Sequence, residues 1–509
     1  MENFFLGLGD VFNLTSLAFM LFGVVCGIVV GAIPGLSGPM AIALCIPLTY
    51  YMTPVGAVGF LVGINKGGTF GGSIASILLN TPGSPESAAT CYDGYPLALQ
   101  RKGEKALKVS LFASFFGDTI SAVSLVLLSV PLASVALKLA PADICAIILF
   151  SLVLVSGLDT GSMSKGLVAG ALGMLLGCVG LDPVSGQPRL DFGVLELSAG
   201  IPLMCLAIGT LAMSEIIFQM QKSCLLEKSG AELARTASRE EGRVSWAELK
   251  SVIRTAIRSS GIGVVIGVLP GLGATMAAFM AYGAAKKASR HPEEFGRGAL
   301  EGVAAPEAAN NAIIGANLVP LLTLGIPGNV AAAIILGAFM VHGLTPGPLM
   351  FAENPRLIYG IYVAVFMAGI MNLLAGSVGL RLFIRVMGIP RTVLYPAVLY
   401  ICIVGAYLVG SSVFGVGVML CLALLGFFMR KFGYSFVTFL IGFVLAPGFE
   451  LSLQQTLILS GDDPSAFVTR PLPLIMLAAS VLLAIRTWRN ARKKNGPEPD
   501  GECAPLSLD

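Results

Sequence analysis

Among the Pro-Gly pairs of this chain, four lie in duplicated positions within the apolar sequence. They are Pro34-Gly35, Pro82-Gly83, Pro270-Gly271 and Pro327-Gly328. Proline lacks the N–H that a helix interior needs, and glycine adopts the backbone angles of a break. Inside a bilayer, the freed backbone groups require protein or a water-filled cavity. Helix N-termini at such breaks suit an anion, and broken C-terminal carbonyls suit a cation.

A single Pro-Gly pair is more often a packing kink, whereas four in duplicated positions favour a polar site. The candidate substrate-binding residues are Pro34, Gly35, Asn65, Lys66, Gly71, Gly72, Ser73, Asn80, Thr81, Pro82, Gly83, Pro270, Gly271, Asn310, Asn311, Thr323, Gly325, Pro327 and Gly328. The candidates for cation coupling are Glu307, Asn310 and Asn317.

Two of these residues are ionisable and are flanked by apolar sequence. Ionisable groups within membrane segments are costly and are functional by default. We expect Lys66 to pair with a substrate carboxylate and Glu307 to take part in cation coupling. Two simpler interpretations stand beside these: Lys66 extends its amine to a membrane interface, and Glu307 opens a helix after Pro306.

A polar, turn-rich segment follows the second Pro-Gly pair, from Ser84 to Pro96. It is predicted to be a loop that gates the site. Asp93 precedes Gly94 within it and is interpreted either as a turn residue or as a functional acid.

Cysteine and histidine usage argues against a metal centre. The ten cysteines are scattered without a CxxC motif, and the two histidines are His291 and His342. Neither a disulfide framework nor a zinc site is expected. The predicted cofactor is therefore none, with sodium or a proton as the coupling ion.

Membrane helices must position these residues. Of 509 residues, 55% are hydrophobic and 12% are charged, about half the charged share of a soluble protein. Apolar runs of about 20 residues, enough to span the hydrocarbon core, recur along the chain. The net charge of +3, without a basic block, points to no nucleic-acid partner. The acidic N-terminus differs from a signal peptide and predicts a retained first helix.

The predicted fold is an all-α polytopic membrane protein with about 10–14 transmembrane or re-entrant helices, some broken at Pro-Gly pairs. The predicted full spans are 12–33, 106–134, 141–157, 164–181, 198–220, 357–380, 393–410, 412–428, 433–449 and 470–486. Shorter apolar pieces are 39–51, 54–64, 67–80, 259–281, 309–324 and 328–342.

Basic residues in short loops predict the orientation, because they favour the cytoplasmic side. The C-terminal tail is rich in Lys and Arg, and the polar stretch 221–258 carries an amphipathic segment at Trp246–Arg258. The predicted organisation is a first transmembrane half (1–220), a cytoplasmic linker with an amphipathic helix (221–258), a second half (259–486) and a cytoplasmic tail (487–509).

The two halves contain an internal repeat. Residues 27–41 align with residues 263–277 without a gap, and eight of fifteen positions are identical. Residues 1–65 contain no Lys or Arg, whereas Arg254 and Arg258 precede the second copy. The copies are therefore expected to enter the membrane from opposite sides, as in inverted-repeat transporters with midplane sites.

Taken together, the motifs give a family resemblance over nearly the whole chain. They are GAIPGLSG (31–38), FGGSIASILLNTPGSPESAAT (70–90), DGYPLA (93–98), VLPGLG (268–273), APEAANNA (305–312), PLLTLGIPGN (320–329) and GLTPGPLMF (343–351). In this order they resemble the large membrane subunit (TctA type) of the tripartite tricarboxylate transporters.

This resemblance implies a permease of the bacterial inner membrane that works with a small membrane subunit and a periplasmic solute-binding protein. It implies import of small organic di- or tricarboxylates, driven by a sodium or proton gradient. The family usually has aromatic residues where Asn65-Lys66 stand here. This departure leaves the substrate open, and the extra cation favours a more highly charged anion.

Two other function classes are alternatives to a transporter. A carboxylate channel requires a continuous pore and no coupling. A membrane-embedded enzyme requires a His/Asp/Glu or Cys/His constellation, and the histidines lie in no catalytic motif. The sequence leaves open which carboxylate is carried, which ion couples and whether the chain forms a homodimer.

Overall fold

The computed structural model describes residues 2–33, 35–159, 162–222, 244–269, 271, 273–386, 389, 391–410 and 412–494. The candidate site residues Pro34 and Pro270 lie outside these ranges, as do most of the predicted linker and the end of the predicted tail. Apart from the boundary at 258/259, the limits predicted for the two halves, linker and tail remain predictions.

Helices dominate the described chain, as predicted. The first half contains α1 (Glu2–Val11), α2 (Leu14–Ala32), α3 (Gly38–Cys45), α4 (Pro54–Leu79), α5 (Ala88–Leu99), α6 (Gly103–Ala136), α7 (Pro141–Asp159), α8 (Met163–Gly177), α9 (Leu195–Ser198), α10 (Leu203–Ala207) and α11 (Ser214–Lys222). A π-helical turn at Ile208–Met213 joins α10 to α11. A short antiparallel hairpin pairs β1 (Gly180–Leu181) with β2 (Pro188–Arg189).

The second half follows the same order of long and broken helices. It contains α12 (Trp246–Val268), α13 (Gly273–Ala288), α14 (Leu300–Ala316), α15 (Leu318–Leu324), α16 (Val330–Val341), α17 (Met350–Glu353), α18 (Pro355–Val386), α19 (Arg391–Gly410), α20 (Val413–Lys431), α21 (Phe436–Ser460), α22 (Ala466–Thr469) and α23 (Pro471–Lys494). Short 3-10 turns occur at Ile46–Tyr51, Pro85–Ser87 and Pro292–Glu294.

Within the described ranges, seven helices are long and apolar enough to cross a membrane. They are Leu14–Ala32, Gly103–Ala136, Leu203–Gln221, Trp246–Val268, Pro355–Leu380, Val413–Lys431 and Phe436–Ser460. An all-α, multi-pass membrane protein is thereby confirmed.

Two predicted segment boundaries are wrong. The apolar pieces 54–64 and 67–80 form the single helix α4, because its many glycines do not interrupt the backbone hydrogen bonds. The amphipathic segment at Trp246–Arg258 is not a separate helix but the first part of α12, which continues to Val268. The predicted boundary at 258/259 therefore falls within one helix.

Polar residues begin several helices by capping their free N–H groups. The Thr53 side chain accepts a hydrogen bond from the Gly56 N–H at the start of α4. Ser245 and Glu248 form a reciprocal capping box at the start of α12. These caps fix where the chain turns into the helices that carry the site.

The internal repeat predicted from sequence is present in the backbone. Gly35 and its counterpart Gly271 both adopt left-handed conformations, with φ of +91° and +90°. The residues just before the two Pro-Gly pairs, Ile33 and Leu269, are helix C-caps. Their N–H groups donate to Val30 O and Ile266 O, respectively. The first Pro-Gly break thus has the same geometry in both halves.

Close helix packing is repeated in the two halves as well. A Cβ added to Gly27 of α2 would lie 2.2 Å from the Ile64 carbonyl oxygen of α4. A Cβ added to Gly263 of α12 would lie 2.3 Å from the Ala309 carbonyl oxygen of α14. Small residues let helices approach this closely in lipid, where burial of apolar surface drives little association.

The two halves exchange helices across their interface. The long helix α6 of the first half packs on α14 of the second, and α18 of the second half packs on α4 of the first. Helices α4 and α14 lie at the centre, since α4 is buried from Val55 to Leu78 and α14 from Gly302 to Ala316. Any polar side chain on these two helices is therefore held inside the protein.

We expect Gly27→Ala and Gly263→Ala each to lower the free energy of unfolding by about 1–3 kcal/mol, because each methyl group forces two packed helices apart. Gly261→Ala is the matched control in α12, since nothing lies within 4 Å of its added Cβ. Thermal unfolding of the purified protein measures the effect. A Gly27→Ala protein that melts at the wild-type temperature would contradict this packing.

Candidate functional site

Glu307 lies in the middle of α14 with a carboxylate that is fully buried. Its Oε2 accepts hydrogen bonds from Ser73 Oγ of α4 at 2.6 Å and from Ser114 Oγ of α6 at 3.4 Å. Its Oε1 accepts one from Thr90 Oγ1 of α5 at 2.5 Å. The interpretation that Glu307 opens a helix is wrong, because α14 begins at Leu300.

Glu307 has hydroxyl partners but no basic one. None of the ion pairs formed within the described part of the chain includes it. A buried charge is costly unless it is paired or neutralised. A proton or a cation would neutralise a charged Glu307, and the surrounding hydroxyl and carboxylate oxygens are the ligands that hard cations prefer.

Three buried asparagines in α14 and at its C-terminal end have amide atoms without hydrogen-bond partners. Asn311 Nδ2 donates to Ser114 Oγ and to the Glu307 carbonyl oxygen, both at 2.9 Å. Its Oδ1, together with the Nδ2 atoms of Asn310 and Asn317, has no hydrogen-bond partner in the structure. Buried polar atoms are nearly always satisfied. These atoms are therefore available to a ligand, an ion or water.

Lys66 lies in the middle of α4, fully buried, with its Nζ 2.9 Å from Asp118 Oδ1 of α6. The interpretation that Lys66 extends to an interface is wrong, because the side chain has no exposed surface. Gly369 of α18 covers the pair, and a Cβ added there would lie 3.3 Å from Lys66 Nζ. The sequence interpretation missed Asp118, although an acid inside the predicted span 106–134 is itself a functional signal.

Helices α4 and α6 each carry one member of the Lys66–Asp118 pair and one of the hydroxyl groups that bind Glu307. Lys66 and Ser73 are about two turns apart on α4, and Asp118 and Ser114 are about one turn apart on α6, or roughly 6–10 Å along each axis. With all three groups ionised, one positive charge faces two negative charges. The uncompensated charge is that of Glu307.

The Pro-Gly breaks of each half meet at corresponding places. In the second half, the Gly271 N–H donates to the Gly328 carbonyl oxygen at 3.0 Å. A Cβ added to Gly328 would lie 2.3 Å from Asn317 Oδ1 and 3.3 Å from Gly267 O. In the first half, a Cβ added to Gly83 would lie 2.7 Å from Gly31 O. In each half, the second Pro-Gly pair thus packs on the C-terminal end of the helix that precedes the first Pro-Gly pair.

The remaining predicted residues are distributed unevenly. Asn80, Thr81 and Pro82 are exposed at the end of α4, whereas Pro327 is buried at the equivalent position. Gly325 and Asn80 both end their helices in the left-handed conformation. Thr323 donates to Val319 O of its own helix, at 2.7 Å. The residues gathered around Glu307 and Lys66 are therefore the core of the candidate site, and the exposed break of the first half lies apart from it.

Other predicted residues lie against the central helix α4. Gly71 packs on α2, where an added Cβ would lie 2.4 Å from Ile28 O. Gly72 faces Ser84, whose Oγ would be 3.3 Å from an added Cβ. Asn65 is nearly buried beside α3. These glycines let the broken segments approach α4, so their role is to shape the site.

The prediction of a gating loop at 84–96 is wrong. After a short 3-10 turn, residues Ala88–Leu99 form α5, and Asp93 lies buried within it. Asp93 Oδ1 accepts hydrogen bonds from the N–H groups of Gly296, Gly298 and Ala299 at 2.8, 2.9 and 2.8 Å. Its Oδ2 accepts one from the Tyr282 hydroxyl at 2.9 Å.

Asp93 is therefore not a turn residue. Its carboxylate satisfies free N–H groups at the start of α14, where negative charge is favoured by the helix dipole. Because α5 also carries Thr90, one helix both anchors α14 and binds the carboxylate that α14 presents. The position of Glu307 depends on this contact between the halves.

We expect Asp93→Ala to release the segment before α14, because three backbone N–H groups lose their acceptor, at a cost of about 1–3 kcal/mol. Hydrogen exchange measured by mass spectrometry should quicken at 296–299. Asp182→Ala is the control, since Asp182 accepts the N–H groups of Val184 and Ser185 in an exposed loop. Unchanged protection at 296–299 in Asp93→Ala would contradict the anchoring role.

Comparison with known proteins places the chain among related sequences. The family described as the tripartite tricarboxylate transporter TctA family matches residues 17–441. A relative from Agrobacterium vitis, described as an uncharacterized 52.8 kDa protein in the TAR-I ttuC' 3'region, is 34% identical over 503 residues, covering 98% of this chain and 99% of its own length.

A second relative from Agrobacterium vitis, an uncharacterized protein in the TAR-II ttuC' 3'region, is 36% identical over 223 residues. That match covers 44% of this chain and 92% of the relative. No solved structure shows significant similarity to this chain.

Proposed function

Because the chain belongs to the tripartite tricarboxylate transporter TctA family, we propose that it imports a di- or tricarboxylate delivered by a periplasmic binding protein. It is a permease component of that transporter family and a multi-pass membrane protein. Import is coupled to a sodium or proton gradient. The chain works in the bacterial inner membrane with a small membrane subunit and the binding protein.

The observation that carries this proposal is the pair of buried charged groups at the centre of the fold. Lys66 and Glu307 lie on α4 and α14, the central helices of the two halves, and both are fully buried. Charges inside a membrane protein mark substrate and ion pathways. A carrier of an anion and a cation needs one group of each sign, within reach of both halves.

Lys66 is the proposed anion-binding group. An ammonium in a low-dielectric interior interacts strongly with a carboxylate. The unpartnered amide Nδ2 atoms of Asn310 and Asn317 supply additional donors. The broken segments bring the starts of α5 and α16 towards the centre, and positive helix ends attract anionic groups. A substrate with several carboxylates would engage several of these donors at once.

Glu307 is the proposed coupling group. In an empty site its charge is unpaired, so a proton or sodium ion stabilises it through the oxygens of Ser73, Thr90 and Ser114. Ser73 belongs to the helix that carries Lys66. Occupation of the cation site therefore changes the electrostatic potential at the substrate site, which is the physical requirement for coupling.

Alternating access is proposed to follow from the repeat. The exchanged helices α6 and α18 give each half a contact with the central helix of the other. With the copies inverted, movement of one set of helices against the other would open the same central site first to one side and then to the other. A homodimer remains compatible with this scheme, since the site lies within one chain.

Transport into vesicles containing this chain, its small subunit and the binding protein tests the proposal, with labelled citrate and other di- and tricarboxylates as probes. We expect accumulation to require a sodium or proton gradient. Glu307→Gln should lower gradient-driven accumulation at least tenfold, because the neutral amide needs no coupling cation. Glu301→Gln, on the same helix and hydrogen-bonded to Thr255, is the matched control and should transport as wild type.

Two results would contradict the proposal. Equilibration that is independent of any gradient would identify a channel. No uptake of any carboxylate with all three components present would exclude the substrate class. Accumulation by Glu307→Gln equal to wild type would leave transport standing but remove Glu307 from coupling.

A further inference from the structure

We propose that Asp118 is a built-in competitor for the substrate carboxylate: it neutralises Lys66 in the empty carrier, and a substrate carboxylate displaces it. This inference rests on the proposed function and names a residue that the proposed mechanism does not use. It makes Asp118 a second acid that must be neutralised when substrate binds.

The geometry of the pair supports exchange. Asp118 and Lys66 are 1% and 0% exposed, and their charged atoms are 2.9 Å apart. A buried ion pair is stable when further hydrogen bonds satisfy both groups. In the structure, however, the described residues give the Lys66 ammonium no hydrogen-bond partner beyond its ion pair with Asp118, and Asn372 is the polar neighbour of Asp118 on α18. The ion pair therefore has few of the surrounding bonds that would make it a permanent structural element.

The internal repeat shows what this position looks like without charge. Aligning the second Pro-Gly breaks places Asn65-Lys66 of α4 opposite Asn310-Asn311 of α14. The packing agrees with this alignment: Gly27 meets Ile64 O, and Gly263 meets Ala309 O. The residue equivalent to Lys66 is thus the neutral Asn311.

The partner helices agree as well. Gly315 of α14 packs on Ser121 of α6, and Gly376 of α18 packs on Leu111 of α6 and Phe70 of α4. Helix α6 therefore contacts the central helix of the second half as α18 contacts that of the first. The second half carries the neutral Asn311 where the first half carries Lys66. The fold accommodates a neutral residue at this place, so packing alone does not require the charge of Lys66.

A glycine lets α18 pack closely against the Lys66–Asp118 pair. A Cβ added to Gly369 would lie 3.1 Å from Asp118 Cβ and 3.3 Å from Lys66 Nζ. Asn372, one turn further along α18, lies beside Asp118 and has an Oδ1 without a partner. The groups facing Asp118 are therefore Lys66 from α4 and Gly369 and Asn372 from α18. Among these groups, Lys66 alone carries a positive charge.

Displacement of Asp118 has a consequence for ion coupling. Once a substrate carboxylate holds Lys66, the Asp118 charge is left in a buried environment, about one helical turn from Ser114 of the Glu307 cluster. An unpaired buried carboxylate must take up a proton or a cation. Each substrate carboxylate bound at Lys66 is then accompanied by one cation at Asp118 in addition to that at Glu307.

Citrate binding to the purified chain in nanodiscs, together with citrate and cation uptake into vesicles holding all three components, tests this proposal. Asp118→Asn should bind citrate about tenfold more tightly, because no internal carboxylate competes. It should also move one cation fewer per citrate than wild type. Affinity and stoichiometry equal to wild type would overturn the proposal.

The Asp118→Asn protein contains a buried Lys66 without its acidic partner, which can destabilise the fold. A second variant therefore removes both charges. The double substitution Lys66→Asn with Asp118→Leu removes both charges and places at position 66 the residue of the other half, and it should fold with the wild-type melting temperature. It should lose citrate binding at least tenfold. A double variant that binds and accumulates citrate as wild type does would show that the pair is structural.

The wild-type protein separates this inference from the proposed function. If wild type accumulates citrate or another carboxylate while both variants behave as wild type, the roles of Asp118 and Lys66 are overturned and carboxylate import stands. If wild type accumulates no di- or tricarboxylate, the proposed function fails and the role of Asp118 fails with it.

Discussion

The structure depends on one constraint: within a bilayer, every backbone polar group must find a partner inside the protein. Breaking a helix at a Pro-Gly pair is possible only where another segment comes close enough to cover it. Here, the Gly271 N–H bonds to the Gly328 carbonyl, and Gly83 lies against the Gly31 carbonyl. Residues without side chains are needed at these contacts, which explains the concentration of glycine around the breaks.

Much of this arrangement was predictable because it is encoded locally. Proline and glycine mark helix breaks, apolar length marks spans, and the repeat between 27–41 and 263–277 is visible by direct comparison. Pairing was not predictable in the same way. The contact of Lys66 with Asp118, and the hydroxyls that reach Glu307 from three other helices, depend on which helices become neighbours. Local rules also misassigned the segment at Asp93, where its contacts with 296–299 stabilise a helix despite turn-forming residues.

Electrostatics connects the covered breaks to transport. Lys66, Asp118 and Glu307 lie in an interior that penalises each isolated charge. Lys66 compensates the charge of Asp118 and leaves that of Glu307 without a basic partner. The hydroxyls of Ser73, Thr90 and Ser114 soften this penalty without removing it, because they donate hydrogen bonds but carry no charge. Under the proposed function, an anion that binds alone at this centre adds to the excess negative charge, and an accompanying cation offsets it.

Duplication supplies the scaffold, and divergence between the copies supplies the charges. Two equivalent halves give a central site that both contact, through the exchange of α6 and α18. A symmetric site would hold the same residues on both sides and would not distinguish an anion from a cation. The chain instead carries Lys66 where its other half has Asn311, and Glu307 where the equivalent residue is Val62. Each half thereby contributes a charge of opposite sign, and under the proposed function the interaction of the two charges couples the binding of the anion to that of the cation.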